Sequence, residues 1–167
     1  MTGATAFSAA IPHRTFEDLD IGERRVSREK TVSLDEIVTF ARVYDPQWFH
    51  ADAELAKDSV FGEAVASGIH VLAIWRQLDH EINADIDFIC GIGFDELRLK
   101  RAVRAGDRVH VTSQIIALTP STSDPRRGTA LTRYAMVNQH GEDAVTFTSI
   151  NLVYTRGGRE RSAGSIR

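Results

Sequence analysis

A single long stretch of helical periodicity is followed only by strand-like segments, and this order leaves the chain few architectures. Over residues 64–82, Val65, Ile69, Leu72, Trp75 with Ile74, Leu78 and Ile82 recur every three or four positions, so one face of this helix reads as core. After Asn83 the pattern changes to alternation. Residues 88–94 read as a strand interrupted by Gly91 and Gly93, which predicts a bulge or a close backbone approach; Leu97, Leu99 and Val103 carry the strand on. Arg104-Ala105-Gly106-Asp107 reads as a turn. Val109, Val111, Ser113, Ile115 and Ala117 share one face of the next strand, and a polar loop with Pro120 and Pro125 follows over 119–128. Tyr134 and Met136 share a face of the strand over 131–139, and His140-Gly141-Glu142-Asp143 forms a hairpin loop before a last strand over 145–154. One apolar helix and a run of antiparallel strands bury their apolar faces together when the sheet wraps around the helix, an α+β fold.

Upstream of the helix the pattern is shorter-ranged. Residues 1–10 are small, polar and aperiodic and read as a mobile arm. An entry segment over 16–23 turns at Gly22, and weak alternation over 24–32 suggests a first strand. Ser33-Leu34-Asp35-Glu36 reads as a capping box, with Ser33 capping and Glu36 reaching back. The helix behind it places Ile37, Phe40, Ala41 and Tyr44 on one face and stops at Pro46. Asp52 reads as the N-cap of a short second helix beginning at 52–56. The polar, basic end of the chain, 157–167, reads as a mobile tail, which leaves 11–156 as a single domain. The length suits one domain with a proper core. A net charge of 20 − 23 = −3 without a basic stripe gives no support for nucleic-acid binding. No run approaches the roughly eighteen apolar residues of a membrane span, and no signal-peptide pattern opens the chain, so a cytoplasmic protein is expected. Cys90, the only cysteine, excludes an intrachain disulfide, suggests no cysteine-based zinc site, and is expected to be a small buried hydrophobe.

Chemistry concentrates between the two helices. Asp45 falls at the C-terminus of the first helix, where the helix dipole disfavours a carboxylate. His50 follows five residues later, with Pro46 constraining the turn between them. An acid and an imidazole on one tight turn can hold a water for general acid–base work near neutral pH. The same residues also fit a plain helix cap and a buried, hydrogen-bonded ring, and spacing leaves both open. Asp52 is better explained by capping than as a partner of His50. Gly68, early in the long helix, permits close backbone approach, and free N–H groups there suit an oxyanion. A close helix–sheet packing contact explains the glycine equally well. His70 reads as structural and His80 as surface.

Asp45-Pro46-Gln47-Trp48-Phe49-His50, with Asp52, Ala56, Phe61-Gly62 and Ala66-Ser67-Gly68, resembles the MaoC-like dehydratases, which include the R-specific enoyl-CoA hydratases of the hotdog fold. In that family an Asp, four intervening residues including a Pro, and a His precede a His-Gly or Ser-Gly at the start of the central helix. The interval from His50 to Gly68 here is eighteen residues, as in the family. Residues 96–107 are similar to the strand and turn that follow the helix, and the likeness extends over about 16–154. The chain departs from the family pattern in the Pro directly after Asp45, in Ser67-Gly68 in place of His-Gly, and in Arg76 where some hydratases place a Ser.

The resemblance implies a hotdog fold, in which an antiparallel sheet wraps around a long central helix. It also implies a homodimer or higher homo-oligomer, with active sites at the dimer interface. The implied reaction is reversible hydration of a trans-2-enoyl thioester, with coenzyme A favoured over an acyl carrier protein. Asp45 and His50 would bind the water, and the Gly68 N–H would hold the thioester oxygen. Ser67, Trp48, Phe49 and also Trp75 would line the substrate, and Arg76 would narrow the acyl pocket or bind a substrate carboxylate. No metal or cofactor is implied, because a thioester is already an electrophile once its oxygen is polarised. A hotdog thioesterase and a non-catalytic acyl-CoA-binding protein remain alternatives.

Overall fold

In the structure, a computed structural model that describes residues 11–159, five long or short strands lie side by side in the order β1 (Arg24–Val26), β4 (Arg108–Pro120), β5 (Arg127–Val137), β6 (Asp143–Tyr154), β3 (Phe88–Leu99). All of these pairings are antiparallel, and the two-residue β2 (Lys30–Thr31) sits beside β4 off this path. The described helices are α1 (Leu34–Tyr44), the single turn α2 (Trp48–Ala51) and α3 (Gly68–Asn83), with 3-10 turns at Phe16–Asp18 and Leu55–Asp58 and a helical turn over 156–159. Bulges between Phe88 and Cys90, Gly91 and Gly93, and Asp95 and Arg98 bend β3, and one between Ile115 and Ala117 bends β4. Each bulge adds local twist, which curls the sheet over α3.

The alternation along each strand sets which face the helix meets. Val109, Val111 and Ser113 on β4, Tyr134 and Met136 on β5, and Val145, Phe147 and Ser149 on β6 are buried on the inner face of the sheet, while Ile115 further along β4 packs with Leu19, Ile86, Ala130 and Val153 in a second cluster. Against them α3 presents Val71, Ile74, Trp75 and Leu78. Trp75 stands edge-on to Phe147 (4.7 Å), Tyr134 (5.1 Å) and Phe94 (5.6 Å), making it the centre of the aromatic core. Truncating such a residue costs about 3–5 kcal/mol.

The C-terminal half of α3 also buries charge. Asp79 is 2% exposed and accepts hydrogen bonds from the Tyr134 hydroxyl (2.7 Å), the Asn83 amide (2.8 Å) and the Arg76 guanidinium (2.7 Å). Burial, reinforced by the Asp79 carboxylate, pushes the Tyr134 phenol well above its ordinary value, so it remains a donor.

Several expectations from sequence are corrected. The long helix starts at Gly68 rather than at residue 64, because Ser67 takes the extended N-cap conformation and its hydroxyl accepts from the His70 N–H (3.2 Å). Val65 instead bridges Arg104, and the Ala66 N–H donates to the Val103 carbonyl (2.8 Å). Val103 is therefore core without being part of β3, which ends at Leu99. Ile69, assigned to the core face, is 56% exposed. Ser33 does cap α1, accepting from the Glu36 N–H (3.1 Å), but the Glu36 side chain turns to Lys30 (3.0 Å) and does not close the box. Asp52 is not the N-cap expected of it: it is the C-cap of α2, and Glu54 holds the N-cap position of the 3-10 turn Leu55–Asp58, although the Asp52 carboxylate accepts from the N–H groups of Glu54 (2.9 Å) and Leu55 (3.0 Å) just ahead of that turn. Cys90 is exposed on the edge strand, because the bulges of β3 turn it outward from the core.

The supposed tail is packed at its start. Gly158 is buried, and Arg159 pairs with Asp87 at 2.9 Å. The arm over 1–10 and the tail beyond residue 159 lie outside the described residues. Among the described residues no helix is long and apolar enough to cross a membrane.

Candidate active site

Pro46 ends α1 and leaves Asp45 as its C-cap, in a non-helical conformation, with its N–H on the Ala41 carbonyl (2.9 Å). The chain then doubles back, the Gln47 N–H donating to the Asp45 carbonyl at 2.8 Å. The Gln47 side-chain amide donates to Asp45 Oδ1 at 3.1 Å. Oδ2 has no partner among the described residues and remains available. The Gln47 carbonyl in turn accepts from the His50 N–H (2.9 Å), opening α2. Arg42 Nε donates to the Ala51 carbonyl (3.1 Å) and ties α2 back to α1. One short loop, internally hydrogen-bonded, thus carries both Asp45 and His50.

His50 is 8% exposed and lies against the Phe49 ring at 4.4 Å. Its Nδ1 is 2.6 Å from the Val65 carbonyl oxygen. A carbonyl can only accept, so Nδ1 carries the proton and Nε2 of the neutral ring is the free base. Nε2 has no protein partner among the described residues and is not sealed from solvent.

The carbonyl that orients His50 belongs to the residue three before Gly68, a span of at most about 10 Å of chain. Ala64, Val65 and Ala66 are all buried, so this connecting segment is fixed. At the start of α3, Ser67 satisfies the N–H groups of His70 (through its hydroxyl) and Val71 (through its carbonyl, 2.9 Å). Those of Gly68 and Ile69 have no partner among the described residues. Two free donors at the positive end of a sixteen-residue helix suit a developing negative charge. A Cβ on Gly68 would meet Leu99 Cδ1 at 2.6 Å, so the neighbour is the tip of an edge-strand side chain rather than sheet backbone.

Other anticipated site residues fall in different places. Ser67 is 1% exposed and its hydroxyl is spent on capping. Trp48 is half-exposed at the start of α2, edge-on to Phe49 (5.5 Å), and Phe49 also packs near Phe61 (5.7 Å). Trp75 is core. Arg76 sits about 12 Å along α3 from Gly68 and is engaged by Asp79. Its guanidinium thereby balances a buried carboxylate while the side chain stays half-exposed.

His70 is indeed buried, at 3% exposure, and stacks on Phe40 at 4.4 Å. Its Nε2 is 3.6 Å from Glu36 Oε1. The His70 ring and the Lys30 ammonium hold the Glu36 carboxyl down at about 2, against the opposing effect of its partial burial. Phe40, His70, Ala73 and Ile74 line a groove of about 480 Å³ between α1 and α3. Val43 and Tyr44 continue it to the end of α1, where Asp45 follows. No pattern in the sequence signalled this groove, because its two walls come from separate helices.

A family model described as a MaoC-like domain matches residues 18–130, a span that includes the Asp45–His50 loop, Gly68 and most of the sheet. The chain belongs to the MaoC-like domain family. Among solved structures, a MaoC-like dehydratase from Rhodospirillum rubrum superimposes with a TM-score of 0.80 at 36% identity, covering 86% of this chain and 99% of that one. A Mycobacterium tuberculosis protein described as a double hotdog fold superimposes with a TM-score of 0.75 at 16% identity, covering 85% of this chain and 44% of that one; at that identity it speaks for the fold alone. This MaoC-like chain is accordingly a hotdog: an antiparallel sheet with a central helix packed against it. Among curated proteins, 3-hydroxyacyl-thioester dehydratase Z of Mycobacterium tuberculosis is 30% identical over 91 residues, which is 53% of this chain and 60% of that protein. The match therefore spans less than two thirds of that relative.

Proposed function

We propose that this MaoC-like protein hydrates a trans-2-enoyl-CoA to a 3-hydroxyacyl-CoA and catalyses the reverse dehydration. The observation that carries the reading is the His50–Val65 hydrogen bond. It fixes the tautomer that leaves Nε2 basic, and it ties that ring to the segment that delivers the free N–H of Gly68.

In the proposed reaction a water sits between His50 Nε2 and Asp45 Oδ2. One of the two takes a proton from the water as its oxygen bonds to the β-carbon. The electron pair of the double bond moves onto the thioester oxygen, where Gly68 N–H donates a hydrogen bond. The enolate then collapses as a proton is returned to the α-carbon. Water has added across the double bond, and no group is oxidised or reduced. The thioester oxygen already supplies the electron sink, so the proposal invokes no metal and no cofactor. The groove beside Tyr44 and His70 offers apolar space for the acyl chain.

The acting species is proposed to be a homodimer. The edge strand β3 leaves one backbone edge unpaired among the described residues and exposes Ile92, Phe94 and Leu99. Such an edge is normally covered. Leu99 belongs to this edge and touches the Gly68 position, so pairing there would order the wall of the site.

Screening trans-2-enoyl-CoAs for loss of the conjugated thioester absorbance, with thiol release followed in parallel, tests the reading. Loss of absorbance without thiol release is expected. Thiol release from saturated acyl-CoA at a comparable rate would make the protein a thioesterase, and tight binding without either reaction would make it a binding protein.

A further inference from the structure

The face of the sheet turned away from α3 carries a cavity of about 610 Å³ that the reaction above does not use. Residues paired across neighbouring strands project to the same face. Arg24 on β1, Gln114 on β4 and Arg133 on β5 form one such row across the cavity. The next row supplies a floor of small side chains, Thr112, Ala135 and Thr146. The residues between these rows, Ser113 and Tyr134, are buried on the helix side, which places the arginines outside.

The charges that line the cavity are unequally engaged. Lys100 is paired with Asp143 (2.9 Å), and Arg25 with Glu23 (2.8 Å) and Asp85 (2.6 Å). Arg24, Gln114 and Arg133 have no side-chain hydrogen bond or ion pair among the described residues. Two strand spacings separate the backbones of the arginines, about 10 Å, so both side chains can converge on one group lying over Gln114. At the other side, on the bulge of β3, stands Glu96, also without an ion pair among the described residues and the only non-glycine residue there with positive φ (54°).

Two guanidinium forks flanking an amide match the oxygens of a phosphate, which accept several donors at once. A threonine floor is neutral and offers hydroxyls. A lone carboxylate at the far end repels anions and accepts from hydroxyl or amino groups. The volume lies within the range of small-molecule sites. We infer that this cavity binds a small phosphorylated molecule of the sugar-phosphate or nucleotide class, its phosphate between Arg24 and Arg133 and its hydroxyl- or amino-bearing end toward Glu96. The cavity and the Asp45–His50 loop use no residue in common, so this site stands or falls independently of the hydratase reading.

The test is calorimetric titration of the full chain with inorganic phosphate, diphosphate, ribose 5-phosphate and ADP, with adenosine as the uncharged control and light scattering in parallel. At least one phosphorylated probe is expected to bind while adenosine does not. Arg24→Gln and Arg133→Gln should each weaken that probe roughly tenfold or more, with the melting temperature and any enoyl-CoA turnover unchanged. Glu96→Gln should weaken ribose 5-phosphate or ADP while leaving inorganic phosphate alone, and the order of affinities separates the sugar-phosphate from the nucleotide source. Failure of all four probes to bind at millimolar concentration would overturn the inference. So would binding that ignores both arginine substitutions, or an Arg133→Gln variant that splits a larger assembly, since the face would then be covered by a second copy of the chain.

Discussion

Replacing Gly68 with Ala separates a backbone donor from a packing contact, and the structure sets the size of both effects. The new Cβ would lie 2.6 Å from Leu99 Cδ1, about 1 Å inside ordinary carbon contact. Leu99 is 55% exposed on an edge strand, so its tip can swing away. An off-rotamer adjustment costs about 0.5–1.5 kcal/mol, and Ala over Gly returns up to about 1 kcal/mol in a helix. The two nearly cancel, so the melting temperature should move by no more than about 4 °C. Catalysis should respond differently. The methyl and the displaced Leu99 both crowd the N–H that is to hold the thioester oxygen, and losing such a donor costs about 10²–10³ in kcat. Turnover of the best enoyl-CoA and calorimetric melting, measured on one preparation, decide the matter. Adding Gly68→Ala to a Leu99→Ala background removes the clash, and turnover should stay low there. Wild-type turnover in folded Gly68→Ala would refute the oxyanion role, and a large fall in melting temperature with a proportionate loss of activity would return Gly68 to packing.

Arg76→Ala should destabilise the fold by about 1.5–3 kcal/mol, because buried Asp79 keeps Tyr134 and Asn83 but loses its cation. Turnover per folded molecule should hold; an unchanged melting temperature with a raised KM would instead make Arg76 a substrate-binding residue. Glu36, lowered from 4.5 to about 2, contributes its stability in full above about pH 4.5 and loses it as the pH falls toward 2. Glu36→Gln should therefore flatten the acid limb of the stability profile in that window, and identical limbs in variant and wild type, compared by denaturant unfolding, would contradict the His70–Glu36–Lys30 assignment. Light scattering at micromolar concentration should report the mass of a dimer, and Ile92→Lys on the exposed β3 edge should lower it; a monodisperse wild-type monomer would remove the proposed assembly.

The sheet was legible because burial alternates from Val109 to Ile115, around Tyr134 and Met136, and from Val145 through Phe147 to Ser149. The helix boundary was not: Ala64, Val65 and Ala66 continue an apolar helical pattern, and only the competition between that pattern and Ser67 as a cap moves the start to Gly68. The spacing of Asp45, His50 and Gly68 pointed to a site, but what links them is a main-chain carbonyl, that of Val65, and carbonyls leave no trace in residue type. Arg76 was assigned toward the substrate only through the family resemblance, and nothing in residue type shows that its partner Asp79 is buried. Tyr134, fifty-five residues further on, is what makes the burial of that carboxylate tolerable. Cys90 was misplaced for a related reason: bulges shift the alternation, and their positions depend on pairing with β6.

The central claim is that Asp45 and His50 act on one shared water. It is tested most directly by kcat for hydration of the best trans-2-enoyl-CoA in Asp45→Asn, His50→Ala and the double variant, each checked for wild-type folding. Groups that act as a unit lose their effect together, so each single variant should lose nearly all activity and the double should be little worse than either. Near wild-type turnover in either single variant, or losses that simply multiply in the double, would contradict the account and leave Asp45 a helix cap and His50 a buried ring.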